Sequence, residues 1–301
     1  MTAQRSQHPA GRLWRRLLGG LLAACLLLLL SAALKQGALA DLLPSPLKHQ
    51  AGFAMHMIDV GQGQALLLTC GGQTAMVDTG LPETSRQVVD YLLKQGVRRL
   101  DYLFVTHPHS DHFGGARYIL ETVGADVLLI PEYLSEEAVL TTAADWVGST
   151  ATPIAVTGAD DRYTLGDAVI TVLHPRAGND IDDMNDLSLV LLVEYAGRRI
   201  LLTGDLTENM EPALLPIGPV DVLQVAHHGS YTSSSKAFLE DVRPDYALIS
   251  CGKSNEYGHP HNVVIARLED VDARIHRTDE EGTLLVPIVE GQIAVTSEHK
   301  P

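Results

Sequence analysis

Thr106-His107-Pro108-His109-Ser110-Asp111-His112 closes an apolar run, Tyr102–Thr106, that reads as a β-strand. Gly114-Gly115 and a helix-like segment, Ala116–Thr122, come next. Three imidazoles and a carboxylate within six residues form a metal-ligand set. A single histidine is ordinarily structural or surface-borne; four ligating groups at this density are not. In extended backbone alternate residues project to one side, so His107 and His109 can converge on one ion. Asp111 and His112 lie past the strand end and can turn toward a second. The glycine pair is expected to let the chain bend sharply into the next helix.

Outward from this cluster the pattern is of short strands. Ala54–Val60, Gln64–Cys70 and Thr74–Asp78 are joined by Gly61-Gln62-Gly63 and Gly71-Gly72. Val88, Val89, Leu92 and Leu93 recur at helical spacing. Ala125–Ile130, Ala168–Leu173, Leu187–Tyr195, Arg198–Thr203, Val220–Ala226 and Tyr246–Ser250 read as further strands, with helices near Glu208–Leu215 and Ser234–Val242. Thr283–Val286 and Gln292–Thr296 read as a closing hairpin, with Pro287 ending its first strand. Two β-rich halves with interspersed helices predict an α/β fold. The expected form is an αββα sandwich of two mixed sheets packed face to face with helices outside, one domain over residues 51–298.

Thr-His-x-His-x-Asp-His-x-Gly-Gly resembles the signature of the metallo-β-lactamase superfamily, and by motif order the likeness runs over residues 53–296. The resemblance implies that His107 and His109 hold one metal, that Asp111 and His112 hold another, and that a later aspartate bridges them. Leu201-Leu202-Thr203-Gly204-Asp205 supplies that aspartate at a strand tip. Either His227 or His228 completes the ligand set of the second metal; His227 is the preferred ligand, leaving His228 as the group that protonates the departing oxygen. Where many members carry a further histidine, this chain reads Met184-Asn185-Asp186. Asn185 is a weak, neutral oxygen ligand, which brings Mn²⁺ into consideration beside Zn²⁺.

Downstream, Asn-Asp-x-Ser-Leu-Val-Leu, His-His-Gly-Ser-x-x-Ser-Ser-Ser and Asn-x-Tyr-Gly-His-Pro occur in order, and Met57–Gln64 opens the domain. Together they resemble the soluble hydrolase domain of the ComEC competence family, without its channel-forming membrane region. That resemblance implies hydrolysis of a phosphodiester, either a short single strand of DNA or a small diester. Asn255 and His259 are expected to contact substrate, and Lys253 to offset phosphate charge. Ser233–Ser235 read as a helix N-cap that could also offer backbone N–H groups to an anion. Asp59 and Asp78 are either carboxylates behind the metal ligands or plain turn residues.

The first forty residues are a different polymer. Arg12, Arg15 and Arg16 precede the uncharged run Leu17–Leu34, and Ala38-Leu39-Ala40 follows. This is the order of a secretory signal, and the run also has the length of a membrane anchor. Cys25 adds a lipoprotein reading. Each reading places the rest of the chain outside the cytoplasm. A linker, residues 41–50, follows. Five of the 22 basic residues and none of the 37 acidic ones lie in residues 1–40, so the remaining 17 basic residues leave a formal charge of −20. Such a surface disfavours non-specific binding of nucleic acid through phosphate contacts. Cys70 and Cys251 remain as a disulfide or as two buried thiols.

Three functions are compatible with these residues. The first is an exported phosphodiesterase or nuclease, in which two ions about 4 Å apart activate a water held by Asp111. The second is a hydrolase of another ester, such as a phosphocholine or a lactone. The third is a binding module whose metals are structural. Pocket aromatics would favour a choline headgroup, and a basic groove would favour nucleic acid.

Overall fold

In the strand Phe53–Met57 (β1), alternation assigns each face: Phe53, Met55 and Met57 enter one core, while His56 points the other way and meets Tyr91. The same alternation sorts the whole chain into layers. The computed structural model describes residues 52–131, 147, 150–176, 181 and 183–298. The expected leader and linker, residues 1–50, lie outside the described residues. Among the described residues no helix is long and apolar enough to cross a membrane.

The first sheet holds β1, β2 (Leu66–Cys70), β3 (Gln73–Val77), β4 (Leu100–Phe104), β5 (Ala125–Pro131), β6 (Ile154–Thr157), β14 (Leu284–Val289), β15 (Gln292–Ile293) and β16 (Thr296–Ser297). Its order is β15-β14-β1-β2-β3-β4-β5-β6, with β16 also on β14. The second holds β7 (Arg162–Leu165), β8 (Ala168–His174), β9 (Val190–Tyr195), β10 (Arg198–Leu202), β11 (Val222–Gln224), β12 (Tyr246–Ile249) and β13 (Arg274–Arg277), in the order β13-β12-β11-β10-β9-β8-β7. Both sheets are mixed: pairing is parallel from β3 to β6 and from β10 to β13, and antiparallel elsewhere.

Phe53, Met55, Leu66 and Phe104 of the first sheet share one buried cluster with Ile170, Leu191, Ile200 and Val222 of the second. The opposite faces carry separate cores. Leu67, Met76 and Leu103 pack with Val88, Leu92 and Ile119 of the helices Ser85–Lys94 and Ala116–Thr122. Leu201, Leu223 and Ala247 pack with Phe238, Leu239, Val264 and Leu268 of the helices Lys236–Val242 and Asn262–Glu269. Helix, sheet, sheet, helix is the expected sandwich. Each fully buried Leu or Phe contributes roughly 1.5–3 kcal/mol.

Two readings change. β14 runs through Pro287 to Val289, because Pro287 pairs in register with Ala54 and its carbonyl still accepts from the Ala294 N–H. The short strands β6, β7 and β13 escape a pattern reading because they hold almost no buried apolar side chain; in β7 only Leu165 is buried. Cys70 and Cys251 are buried free thiols, and burial together with the nearby Asp279 carboxylate pushes Cys251 up to about 12.

His56 gives the fold a pH dependence. Burial lowers its pKa from 6.5 to about 4, and its Nε2 has no partner among the described residues. The unfolded chain therefore takes up this proton before the folded one does. Stability is fully present above pH 6.5 and is lost as the pH falls toward 4, by roughly 3 kcal/mol from this group. Urea denaturation of wild-type and His56→Phe protein across that range should show a shallower acid slope in the variant. Parallel slopes would exclude His56 as the cause.

Candidate metal centre

The site is built where strands of both sheets end on one rim. β4 leads through Thr106 into His107, and the Thr106 carbonyl accepts from Leu189 N–H, tying the two sheets together (3.0 Å). Asp111 and His112 ride on one turn of helix, Ser110–Phe113. The glycines that follow turn the chain into the next helix with ordinary right-handed angles, so the left-handed freedom of glycine is not what they supply. Their role is close approach. A Cβ at Gly115 would lie 2.5 Å from the Thr79 carbonyl oxygen, and one at Gly114 would strike Pro82 and the Ser110 carbonyl.

Asp205 follows β10. The Gln224 side chain shapes the turn that presents it, accepting from Thr203 and Gly204 N–H at 2.7 and 2.9 Å and donating to the Gly204 carbonyl at 3.2 Å. His227 and His228 follow β11 with φ of 52° and 56°. Two consecutive side-chain-bearing residues in the left-handed region cost about 1–2 kcal/mol each, and strain of that kind gathers at working sites.

Three imidazoles converge through Nε2 because acceptors hold their other nitrogens. His112 Nδ1 lies 2.7 Å from Asp78 Oδ2, His228 Nδ1 lies 2.8 Å from the Ser250 carbonyl, and His107 Nδ1 lies 3.1 Å from Thr106 Oγ1. These partners orient the rings and aim each Nε2 inward, as groups behind the ligands do at metal sites. His112 Nε2 then faces His228 Nε2 at 3.3 Å and Asp205 Oδ1 at 3.2 Å. His107 Nε2 faces His109 Nδ1 at 3.1 Å and Asp205 Oδ2 at 3.8 Å. Asp111 Oδ2 lies 3.3 Å from His228 Nε2. The donor atoms of His107, His112 and Asp205 form one group that could hold a metal ion, and those of Asp111, His112 and His228 a second.

Two observations show that the donor set fits cations. The buried Nε2 atoms of His112 and His228 stand 3.3 Å apart with Asp205 at 3.2 and 3.6 Å, and Asp205 Oδ1 has no side-chain partner among the described residues beyond the His112 imidazole. The electrostatics agree. Burial alone would lower the His112 pKa, yet the Asp205 and Asp78 carboxylates hold it well above 6.5. Burial would raise Asp205 and Asp111, yet the neighbouring histidines hold both well below the ordinary carboxylate range. Negative charge is fixed here, and the site demands positive charge to match it.

The two histidines of the pair differ in burial and neighbours. His228 is the one buried beside Asp111 and His112. His227 keeps a side chain 24% exposed, with Nε2 3.7 Å from Asp205 and Nδ1 3.2 Å from Thr232 Oγ1. Asn185 lies in the turn Met184–Leu187 just before β9, with its Oδ1 buried and without a partner among the described residues.

A cavity of about 330 Å³ opens above this centre, lined by Gln62, His109, Ser110, Asp111, Asp205, His227, His228, Tyr257 and His259. Asn255 is not in its wall. The Asn255 amide is taken up in holding its own loop, donating to the Gly252 and His259 carbonyls and accepting from His259 N–H. Lys253 borders a separate cavity with Asp59, Asp279 and Glu280. The serine run offers no anion cradle, because Ser234 and Ser235 N–H groups donate to the buried Glu211 carboxylate. Of the two early aspartates, Asp59 caps a turn at Gly61 N–H, whereas Asp78 stands behind the His112 ring. Gln62 and Tyr257 line the pocket without having been singled out. Gln62 sits in a Gly-x-Gly turn and Tyr257 in a polar loop, and neither setting reveals which way a side chain points.

A family profile for the metallo-beta-lactamase superfamily matches residues 58–253. The chain is 33% identical over 253 residues to ComE operon protein 3 of Bacillus subtilis (strain 168), covering 76% of this chain and 32% of that protein. It is 32% identical over 239 residues to Competence protein ComA of Neisseria gonorrhoeae, covering 77% and 32%. The chain thus spans about a third of the length of these curated relatives. A solved metallo-beta-lactamase fold protein, YhfI from Bacillus subtilis, superposes with a TM-score of 0.52 at 13% identity, over 76% of this chain and 98% of that one. That likeness is one of fold alone.

Proposed function

Because this chain belongs to the metallo-beta-lactamase superfamily, we propose that its rim of histidines and carboxylates holds two divalent ions and hydrolyses phosphodiesters. The observation that carries this reading is the convergence of His107, His112 and His228 Nε2 on Asp205, whose Oδ1 is otherwise unpartnered. His107 and His109, with Asn185 as a weak neutral oxygen, would hold the first ion. Asp111, His112 and His228 would hold the second, and Asp205 would serve both. A mixed nitrogen and oxygen donor set of this kind suits Zn²⁺ or Mn²⁺.

When bound, such ions acidify a water and polarise the attacked phosphoryl group. The chain's own residues do the rest. Asp111, partly exposed to the pocket, accepts a hydrogen bond from the attacking water and orients it. His227 is held by Thr232 and faces the open side of Asp205, where it can pass a proton to the departing oxygen. Asp78, Ser250 and Thr106 keep the three buried rings oriented. A diester is favoured by the competence-protein relatives, and the basic-apolar-small order of residues 1–40 supports work outside the cytoplasm.

Among the described pocket residues no lysine or arginine lines the wall, so nothing there forms a basic groove. Tyr257 offers one aromatic face, and a choline cage needs several. Purified protein loaded in turn with Zn²⁺ and Mn²⁺ should cleave bis-p-nitrophenyl phosphate, and chelation should abolish that cleavage and remove close to two ions per chain. Cleavage of p-nitrophenyl phosphocholine alone would transfer the reading to headgroup esters. Hydrolysis of a β-lactam alone would overturn it.

A further inference from the structure

Tyr257 and His259 of the pocket wall begin a chain of ring contacts that runs on to His261 and Tyr231 and that the hydrolytic chemistry does not use. His259 lies over His228 at 6.2 Å and 26°, and Tyr257 lies over His259 at 5.6 Å and 22°. His259 also meets His261 edge-on at 4.9 Å and 70°, and His261 meets Tyr231 edge-on at 5.0 Å and 77°. Tyr231 and Tyr257 are each 59% exposed, more than any other large hydrophobic side chain of the described residues. Val263, 44% exposed, lies just beyond His261. Exposed apolar groups linked through neighbouring rings mark a surface that meets something.

These rings are not needed to hold the loop that bears them. Asn255 clamps that loop by three hydrogen bonds, and His261 N–H donates to the Gly229 carbonyl. Gln62 Nε2 lies 3.4 Å from His259 Nδ1, and Tyr231 N–H donates to His261 Nδ1. The platform is therefore fixed in place while its outer faces stay open to solvent.

Charge narrows the choice of partner. A domain of −20 with no basic side chain among the described pocket residues gains little by attracting a polyanion through its phosphates. A substrate chain that carries planar bases can bind by another route, since stacking needs no positive charge and every base has a π-face. Bases locked inside a duplex are stacked on one another and cannot reach the rings.

We propose that Tyr257, His259, His261 and Tyr231 form a stacking ladder that binds the unpaired bases flanking the scissile diester, and so selects single-stranded nucleic acid over duplex. The inference rests on the phosphodiesterase reading and deepens it by naming the residues that would select a single strand. Its test is separable from that reading. Binding is measured on full-length, metal-free protein by quenching of a short 2-aminopurine-labelled single strand, with two competitors of equal length: an abasic single strand and a duplex. Wild-type protein should prefer the base-bearing strand to each competitor by about tenfold or more. Tyr231→Ala and Tyr257→Ala should each bring that preference toward one, while Tyr231→Phe and Tyr257→Phe keep it. In the metal-loaded enzyme the same alanine variants should raise KM for the base-bearing strand far more than they lower kcat. Equal binding of base-bearing and abasic strands, duplex binding as tight as single strand, or alanine variants that keep the preference would each overturn the ladder. If bis-p-nitrophenyl phosphate is cleaved but the preference is absent, the ladder falls and the hydrolase stands. If the preference is present but no diester is cleaved, the ladder stands and the hydrolase falls.

Discussion

Replacing Asp205 with alanine is expected to lower phosphodiester turnover by about 10³-fold or more, the loss of several kcal/mol of charge stabilisation. Its carboxylate lies within 3.2 to 3.8 Å of four imidazoles: those of His112, His228, His227 and His107. No other carboxylate reaches both halves of the centre among the described residues; Asp111 approaches only His112 and His228. Without Asp205 the converging nitrogens face one another with no anion between them. Bound metal should fall below two ions per chain, and excess metal should not restore turnover. Asp205→Asn keeps the shape and the backbone contact to Ser188 but removes the charge, and it should be nearly as impaired. Elemental analysis alongside initial rates checks both. Full turnover with an intact metal count in either variant would sink the two-ion proposal.

Asp78→Asn should fail in a different way. Asp78 Oδ2 accepts from Thr106 Oγ1 and Gln64 Nε2 at 2.8 Å and meets His112 Nδ1 at 2.7 Å, while Oδ1 accepts from Thr106 N–H at 2.7 Å. An asparagine NH₂ placed on that side opposes donors with donors. Metal affinity should drop roughly 10- to 100-fold, as for other groups that orient a ligand from behind. The folded state should lose about 1–3 kcal/mol through the unsatisfied buried groups. Because every ligand is still present, saturating metal should recover most of the turnover, which Asp205→Ala does not allow. Turnover measured against free metal concentration separates the two cases, and an unchanged midpoint would remove Asp78 from the site.

What could be read in the residues alone follows from how local each feature is. His107, His109, Asp111 and His112 were legible because density within one segment needs no tertiary information. Asp205 was legible because an apolar run ending in Gly-Asp places a carboxylate at a strand tip. The choice between His227 and His228 was not, since it turns on two left-handed backbone positions that no pattern encodes. Asn255 and Lys253 sit in the right loop, but their side chains answer to hydrogen bonds and cavities formed by distant segments. Asp78 reads equally as a turn residue and as a carboxylate behind the ligands until β3 and β4 are paired and bring it against Thr106 and His112. The sandwich itself was legible from alternation, and it blurred only where strands such as β7 and β13 bury almost no apolar side chain.

The left-handed pair at His227 and His228 sets stability against purpose. Glycine relieves strain at such backbone angles, and screens for heat-resistant variants reward that relief. A stability screen of this chain run without an activity readout would therefore drift toward His227→Gly and His228→Gly and call the result an improvement. The product would be a hardier sandwich that has lost two of the imidazoles around Asp205. Any effort to harden this protein has to leave those two residues under tension.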